Sequence, residues 1–412
     1  MALEDRITTE SMLAYASAGI ELARTTQRLR DDGYGSMIIP SRGATPFIRV
    51  AQAYYRSVVV PLMPAQDRLA KGFAASVGPL NLALDMPFTA DAGRIPVDGL
   101  SPAQIRRYWA RVVAAIVRGR MDDPNYRLFR FIRDEVCKVG HHDVLERNMK
   151  SERLLFVDTV VSGRAVSEIV DAFDAEGMDQ IHYLLLMDEN GAAMKPPYAA
   201  RIQALARAGR ATLIGVPHLF TEDQGPAVSG IWSVVVPAVM DLAREEPGMQ
   251  DGFVGAGLYY HEVTRRCDRS NEKVTQAIGQ LNGLLFQSMF AAADPDHVDE
   301  DLRHLGSGFA GEKALQRLLD QPAIYRQWLD EQVGMYLEHL GENRLFHQES
   351  TLHYAAGRLR KGLGDLSAQV DISSSHCLRV HLKDEDAKRL MRRFRTSLGQ
   401  PYWADAERTR RA

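Results

Sequence analysis

Short apolar runs alternate with amphipathic segments through the middle of the chain, and turn residues separate them. The apolar runs have the length of buried strands, whereas the segments between them repeat their apolar positions at the helical period. Strands that alternate with short helices are typical of a parallel, doubly wound sheet, so we expect an α/β fold. The predicted strands cover 153–157, 181–187 and 211–216, and the predicted helices cover 165–176 and 197–208.

Further helices and strands are predicted on both sides of this region. Ser101 followed by Pro102 indicates a helix start, because serine caps a helix and proline fits its first position. An apolar run before a proline, at 231–236, predicts a last edge strand of the sheet. The other predicted helices cover 8–32, 46–55 and 101–119, and the other predicted strands cover 36–40 and 58–60.

Beyond about residue 250 the pattern becomes mostly helical, with one clear amphipathic helix at 323–340. We therefore predict two domains. Residues 1–248 form an α/β domain with a helical insertion near 101–150, and residues 249–412 form a mainly helical domain. That second domain is a candidate acceptor domain or a candidate dimerisation surface. The second of these roles would make the protein a homodimer.

Composition narrows the class of protein. The 412 residues carry 50 basic and 53 acidic side chains, a net charge of -3 that argues against a dedicated nucleic-acid binder. No run approaches the roughly 18 apolar residues of a membrane span. The three cysteines are far apart and odd in number, so neither a disulfide framework nor a metal-ligand pattern is expected. With no apolar leader at the N-terminus, we expect a cytoplasmic protein.

The segment 155–165 carries the most specific chemistry. An apolar strand delivers Asp158 to the carboxyl edge of the sheet, where parallel α/β proteins bind ligands. Ser162 and Gly163 then open a helix whose first amides favour an anion such as phosphate. We expect Asp158 to lie at the exposed end of its strand, suited to hydroxyls or a metal. An ordinary strand-turn-helix with a capped helix is the structural alternative.

This segment resembles the phosphate loop of the type I phosphoribosyltransferase family. That motif is an apolar strand, two acids, three variable positions and then Thr-Gly-Gly-Thr or a close variant. Asp158 falls on the second acid, Ser162 on the first threonine and Gly163 on the first glycine. Val157 replaces the first acid, and Arg164 and Ala165 replace the last two positions. The resemblance implies a doubly wound fold in which Thr159 and the residues from Ser162 to Ala165 bind a 5-phosphate.

Other segments support the resemblance in the expected order along the chain. Arg42 and Gly43 follow the predicted strand 36–40, where the family has its pyrophosphate loop. Arg68 and Lys71 are local candidates for the family's basic hood, which closes over pyrophosphate, although surface charges are the simpler interpretation. The run 231–237 is similar to a late strand in purine-type members.

The resemblance implies transfer of a phosphoribosyl group from phosphoribosyl pyrophosphate to a small-molecule acceptor, with release of pyrophosphate. Mg²⁺ would be the cofactor, and Asp158 would serve as catalytic residue and metal ligand. The main alternative is a non-catalytic phosphoribosyltransferase-like module that binds nucleotides and a partner in regulation or defence. A Rossmann-like oxidoreductase is disfavoured, since no GxGxxG follows the first strand.

Overall fold

The computed structural model describes part of the chain in detail. The described residues are 5, 7–39, 42–54, 102–131, 151–190, 194–219, 232–235, 255–258, 283–285, 288, 321–343, 360, 364, 368–372 and 378–398. The predicted strand 58–60 and both predicted hood residues, Arg68 and Lys71, lie outside these ranges.

The described helices and strands follow the predicted alternation closely through residue 216. The helices are α1 (Thr9–Asp31), α2 (Thr45–Tyr54), α3 (Pro102–Val117), α4 (Pro124–Phe131), α5 (Arg164–Ala175), α6 (Pro196–Arg207), α7 (Pro322–Asn343) and α8 (Asp384–Leu398). The strands are β1 (Ser36–Ile38), β2 (Leu154–Val160), β3 (His182–Asp188), β4 (Ala211–Val216), β5 (Trp232–Val235), β6 (Gly255–Leu258), β7 (Ala368–Ile372) and β8 (Leu378–Leu382). A short 3-10 helix, Arg42–Ala44, joins β1 to α2.

Strands β1 to β4 form one parallel sheet in chain order. Ser36 of β1 pairs with Leu154 of β2. Further along the sheet, Leu155 pairs with His182 of β3. Tyr183 in turn pairs with Ala211 of β4. The predicted α/β class with a parallel sheet is confirmed. Because all strands run the same way, the segments that follow β1, β2, β3 and β4 emerge at one carboxyl edge.

Helices α1 and α2 cover one face of this sheet. Helix α1 begins at a capping box in which Thr8 and Ser11 each bond the other's backbone amide. Gly19 lets α2 approach closely, because a Cβ atom there would lie 2.5 Å from Val50. The buried core under these helices includes alternate strand residues, namely Leu155, Val157, Leu184, Leu186, Ile214 and Val216. Val333 and Tyr336 of α7 join the same core.

Helices α3 and α5 cover the opposite face. Side chains alternate along a strand, so Phe156 points away from the α1 side and meets Phe173 of α5, with ring centroids 5.9 Å apart. In α3, Trp109 packs edge-on against Phe129 of α4 at 5.2 Å. All seven residues of β2 are buried, as expected for a strand covered on both faces.

A second sheet combines strands from distant parts of the chain. Its order is β6-β5-β8-β7, with β5 antiparallel to β6 and parallel to β8. The prediction that 231–236 forms an edge strand of the first sheet is therefore wrong, because β5 is an inner strand here. The expectation of a mainly helical region after 249 also omitted β6, β7 and β8. The predicted boundary at 248 separates β5 from the strands with which it pairs.

Helix α7 is anchored on α1 by polar contacts. Arg326 forms an ion pair with Glu10, and Thr9 donates a hydrogen bond to Asp330. Among the helices that the structure describes, none is long and apolar enough to cross a membrane.

Candidate functional site

The two segments predicted to bind phosphoribosyl pyrophosphate follow neighbouring strands of the first sheet. The 3-10 helix Arg42–Ala44 follows β1, and the turn 161–163 follows β2, at the same edge of the sheet. The 3-10 helix also contacts β2 directly. Gly43 is buried, and the structure gives the backbone but not the side-chain environment of Arg42. The backbone therefore brings together the predicted pyrophosphate segment and the predicted phosphate turn.

Gly163 is the residue that turns the chain from β2 into α5. It is the N-cap of α5, with a left-handed backbone at φ 76°, and it makes no side-chain cap to the helix. A Cβ atom at this position would meet Met194 Sδ at 2.7 Å and Tyr198 Cβ at 2.9 Å. Glycine is thus required both by the backbone angle and by the packing of α6. Because Gly163 has no side chain, it cannot itself cap the first amides of α5.

The other residues of the predicted phosphate loop differ in exposure. Ser162 and Ala165 are half-buried, whereas Thr159 is buried and Arg164 is exposed. Arg164 Nε donates to Glu168 Oε1 at 2.6 Å, one turn along the same helix. Ser162 and the start of α5 are accordingly the parts of the predicted phosphate loop that a ligand can reach.

Asp158 is not at an exposed strand end. Strand β2 continues two residues beyond it to Val160, and Asp158 is only 1% exposed. Its Oδ1 accepts a hydrogen bond from the backbone N–H of Thr159 at 2.9 Å. Because Phe156 faces α5, the alternation of the strand directs the Asp158 side chain towards the layer of α3 and α5. The expectation of an exposed position is therefore wrong, and the reason is that β2 is longer than predicted.

A buried arginine from α3 supplies positive charge beside this layer. Arg106 is 3% exposed and pairs with Glu168 of α5. Burial and, to a smaller extent, the charge of Arg164 lower the pKa of Arg106 to about 10, while the charge of Asp158 acts in the opposite direction. Arg106, Asp158, Glu168 and Arg164 therefore form a charge cluster that fastens α3 to the first turns of α5.

Few side chains in the described structure are placed to ligate a metal ion together. Within the ranges that the structure describes, no three or more His, Cys, Asp or Glu side chains cluster in a way that could hold an ion. The Asp158 carboxylate, the predicted metal ligand, is buried and already bonded to a backbone amide. The described protein residues alone therefore do not fit a protein-built Mg²⁺ site.

Sequence reasoning missed three polar residues that the fold makes prominent. Arg106 lies three and seven positions before the buried Trp109 and Val113, so helical periodicity alone could have placed it on the buried face of α3. Asp188 ends β3 in the same way that an acid was expected to end β2. His218 follows β4 at the same edge of the sheet, and lies 3.8 Å from Asp188.

Comparison with known proteins adds no relative. No protein-family model matches the chain, and searches of curated proteins and of solved structures found no match.

Proposed function

We propose that the protein is a phosphoribosyltransferase-like protein that binds phosphoribosyl pyrophosphate and transfers its phosphoribosyl group to a small acceptor. The observation that carries the proposal is the adjacency of two segments at one sheet edge. The turn 161–163 opens α5, and the 3-10 helix Arg42–Ala44 contacts the strand that leads to this turn.

The 5-phosphate would lie at the start of α5. The first amides of a helix lack intrahelical partners, and the helix dipole favours negative charge there. Gly163 presents these amides without a side chain of its own, and the half-buried Ser162 adds a hydroxyl donor. Arg164, exposed at the first helical position, contributes positive charge beside the phosphate.

The pyrophosphate would lie towards β1. Arg42 and Gly43 belong to the 3-10 helix at the end of that strand, one strand spacing from β2, which is about 4.8 Å. An arginine guanidinium matches a phosphate with two parallel hydrogen bonds. Mg²⁺, when bound together with the donor, would supply positive charge that neutralises the pyrophosphate.

The reaction would be a displacement at C1 of the ribose. The acceptor forms a bond to C1 while the C1–O bond breaks, and pyrophosphate leaves with the electron pair. Positive charge develops on the sugar, so the protein contributes positioning and charge stabilisation rather than a covalent nucleophile. Asp158, buried behind the turn, would support this site by holding the start of α5 in place.

The burial of Asp158 also favours a second candidate, a non-catalytic module that binds the same phosphorylated ligand. In the family that the sequence resembles, the acid of the loop faces the ribose hydroxyls. Here the carboxylate is 1% exposed and lies in the layer with Arg106. A protein that retained the phosphate turn but used its acid for packing would bind a nucleotide ligand without turnover.

Calorimetric titration with phosphoribosyl pyrophosphate tests the proposal, with ribose 5-phosphate and pyrophosphate titrated separately. We expect donor binding that Mg²⁺ strengthens. In Arg42→Ala we expect weaker pyrophosphate binding, by about tenfold for one lost charged contact, and nearly unchanged ribose 5-phosphate binding.

The two candidates separate on pyrophosphate release. Donor binding followed by release in the presence of an acceptor supports the transferase, whereas binding without release supports the non-catalytic module. If the protein does not bind the donor at millimolar concentration, both candidate functions are excluded.

A further inference from the structure

Asp188 and His218 lie on the face of the sheet opposite to Asp158. Leu184 and Leu186 belong to the core under α1 and α2, so the alternation of β3 puts Asp188 on that face. Val216 of β4 belongs to the same core, and His218 follows it by two residues.

Backbone hydrogen bonds fix the positions of Asp188, the last residue of β3, and of His218, two residues beyond β4. The N–H of Glu189 donates to the carbonyl of Val216 at 2.9 Å, and the N–H of Asn190 donates to that of Pro217 at 3.2 Å. These bonds extend the pairing of β3 with β4. The positions of Asp188 and His218 are therefore set by the sheet rather than by a free loop.

The carboxylate is buried and the imidazole is reachable. The side chain of Asp188 is 9% exposed, and that of His218 is 31% exposed. Asp188 Oδ1 accepts no hydrogen bond from the described residues and lies 3.8 Å from His218 Nδ1. A carboxylate on the Nδ1 side leaves Nε2 as the nitrogen available to a ligand. Catalytic pairs are often this loose before substrate binds.

The pair is close to the proposed phosphate turn. Val160 pairs with Met187, so the same register puts residue 161, at the start of the turn, level with Asp188. The two strands are about 4.8 Å apart, and β4 lies one spacing further. A sugar held by its phosphate at the start of α5 would thus have an acid–imidazole pair next to it along the sheet edge.

We propose that His218 is the general base for the acceptor and that Asp188 positions it. This inference rests on the proposed transferase function, and it names the acceptor class as a neutral nucleophile with an N–H or O–H bond. The acceptor's lone pair forms the bond to C1, and pyrophosphate leaves with the electrons of the broken C1–O bond. The acceptor's proton passes to Nε2 of His218, and the Asp188 carboxylate balances the charge of the resulting imidazolium.

The test measures pyrophosphate release from phosphoribosyl pyrophosphate with hydroxylamine, a neutral N–H nucleophile, as the probe. The full-length protein is compared with His218→Ala, with and without added imidazole, and with Asp188→Asn. Donor affinity is measured by calorimetry for each protein. His182→Gln, which changes a histidine at the opposite end of β3, is the matched control.

We expect His218→Ala to slow release by at least about tenfold, while the donor dissociation constant changes less than about twofold. Imidazole should restore part of the rate in His218→Ala, a response that a purely structural role would not give. Asp188→Asn should lower the rate at saturating donor, and His182→Gln should leave it unchanged.

Unchanged release in His218→Ala, or a loss that imidazole does not restore and that follows donor affinity, would overturn the assignment. A wild-type protein that binds donor but releases no pyrophosphate with hydroxylamine would also overturn it, and would leave the donor site standing. A wild-type protein that binds no donor would instead remove the proposed function on which the inference rests.

Discussion

Asp158 and Asp188 lie on neighbouring strands of one parallel sheet, yet they face opposite layers of the molecule. Asp158 faces α3 and α5, where Arg106 supplies a buried positive charge. Asp188 faces the α1 and α2 side, next to the half-exposed His218. The residue type and its place late in a strand are the same in both. The difference between them comes from the face of the sheet and from the groups that meet it there.

An acid near the carboxyl edge of a strand therefore has no fixed role. A buried carboxylate costs free energy unless opposite charge or hydrogen bonds compensate it. At Asp158 the compensation comes from the Thr159 amide and the field of Arg106, which suits a structural part. Asp188 instead lies 3.8 Å from the partly exposed His218, which suits a part in binding or proton transfer.

The largest expected effect is on the Asp158 side of the sheet. Arg106→Ala should lower the free energy of unfolding by about 3 kcal/mol or more, because it removes the buried positive charge that pairs with Glu168 and acts on Asp158. Urea unfolding measures the change. Arg111→Ala is the matched control, since Arg111 lies on the same helix and pairs with Glu176 of α5 at 3.1 Å with both side chains partly exposed. That control should lose less than about 1 kcal/mol.

Removing the charges of Arg106 and Glu168 together tests whether charge or packing dominates at Arg106. Arg106→Ala combined with Glu168→Gln should recover part of the loss, since fewer charges stay buried without a partner. A double variant that is no more stable than Arg106→Ala alone would show that packing, not charge, dominates at this position.

Neutral substitutions of Asp158 and Asp188 test whether the two faces of the sheet differ. Asp158→Asn should lower stability by about 1 to 3 kcal/mol, because it removes the charge that balances Arg106. Asp188→Asn should change stability by less than about 1 kcal/mol, because the partly exposed His218 at 3.8 Å is a weak partner for this carboxylate. Chemical unfolding of both variants measures the change in the free energy of unfolding. Equal losses in the two variants would contradict the contrast between the two faces.

The smallest expected effect concerns the amino edge of the sheet. His182 bonds to Thr212 Oγ1 at 2.9 Å, and burial lowers its pKa below the usual 6.5, while a backbone hydrogen bond with Gly209 opposes the shift. The unfolded chain therefore takes up a proton before the folded protein does. Its contribution to stability is present above pH 6.5 and is lost as the pH falls through the lowered pKa.

His182→Gln should flatten this acid-side loss of stability without changing donor binding. Thermal unfolding between pH 8 and pH 5 checks the slope. An identical slope in the wild-type protein and the variant would assign the acid sensitivity to other groups.

Local patterns predicted the parallel sheet well, because strand and helix periods are properties of short segments. Helix α5 begins one residue before the predicted start, and β4 has the predicted bounds. The face on which Asp158 lies could not be predicted in the same way. All seven residues of β2 are buried, so no polar alternation marks its two sides.

Long-range pairing escaped prediction for a different reason. Val234 of β5 pairs with Leu378 of β8, and nothing local to either strand indicates the other. The charge cluster around Arg106 likewise required knowing that α3 packs against α5. The strand-end acid Asp188 was visible in the sequence, but its partner His218 became apparent only when β3 and β4 were paired.

We propose the turn before α5 as the binding site for the phosphate of a sugar donor. Ser162→Asp tests it most directly, with Ser162→Asn as a control of matched size. An acid beside a helix N-terminus stabilises the helix by about 0.3 to 1 kcal/mol. The same charge would repel a phosphate.

In calorimetric titration with phosphoribosyl pyrophosphate, we expect Ser162→Asp to raise the dissociation constant by more than about tenfold, equivalent to about 1.4 kcal/mol. Its melting temperature should not fall, and Ser162→Asn should bind nearly as the wild-type protein does. Unchanged donor affinity in Ser162→Asp would contradict the claim and place the ligand away from this turn.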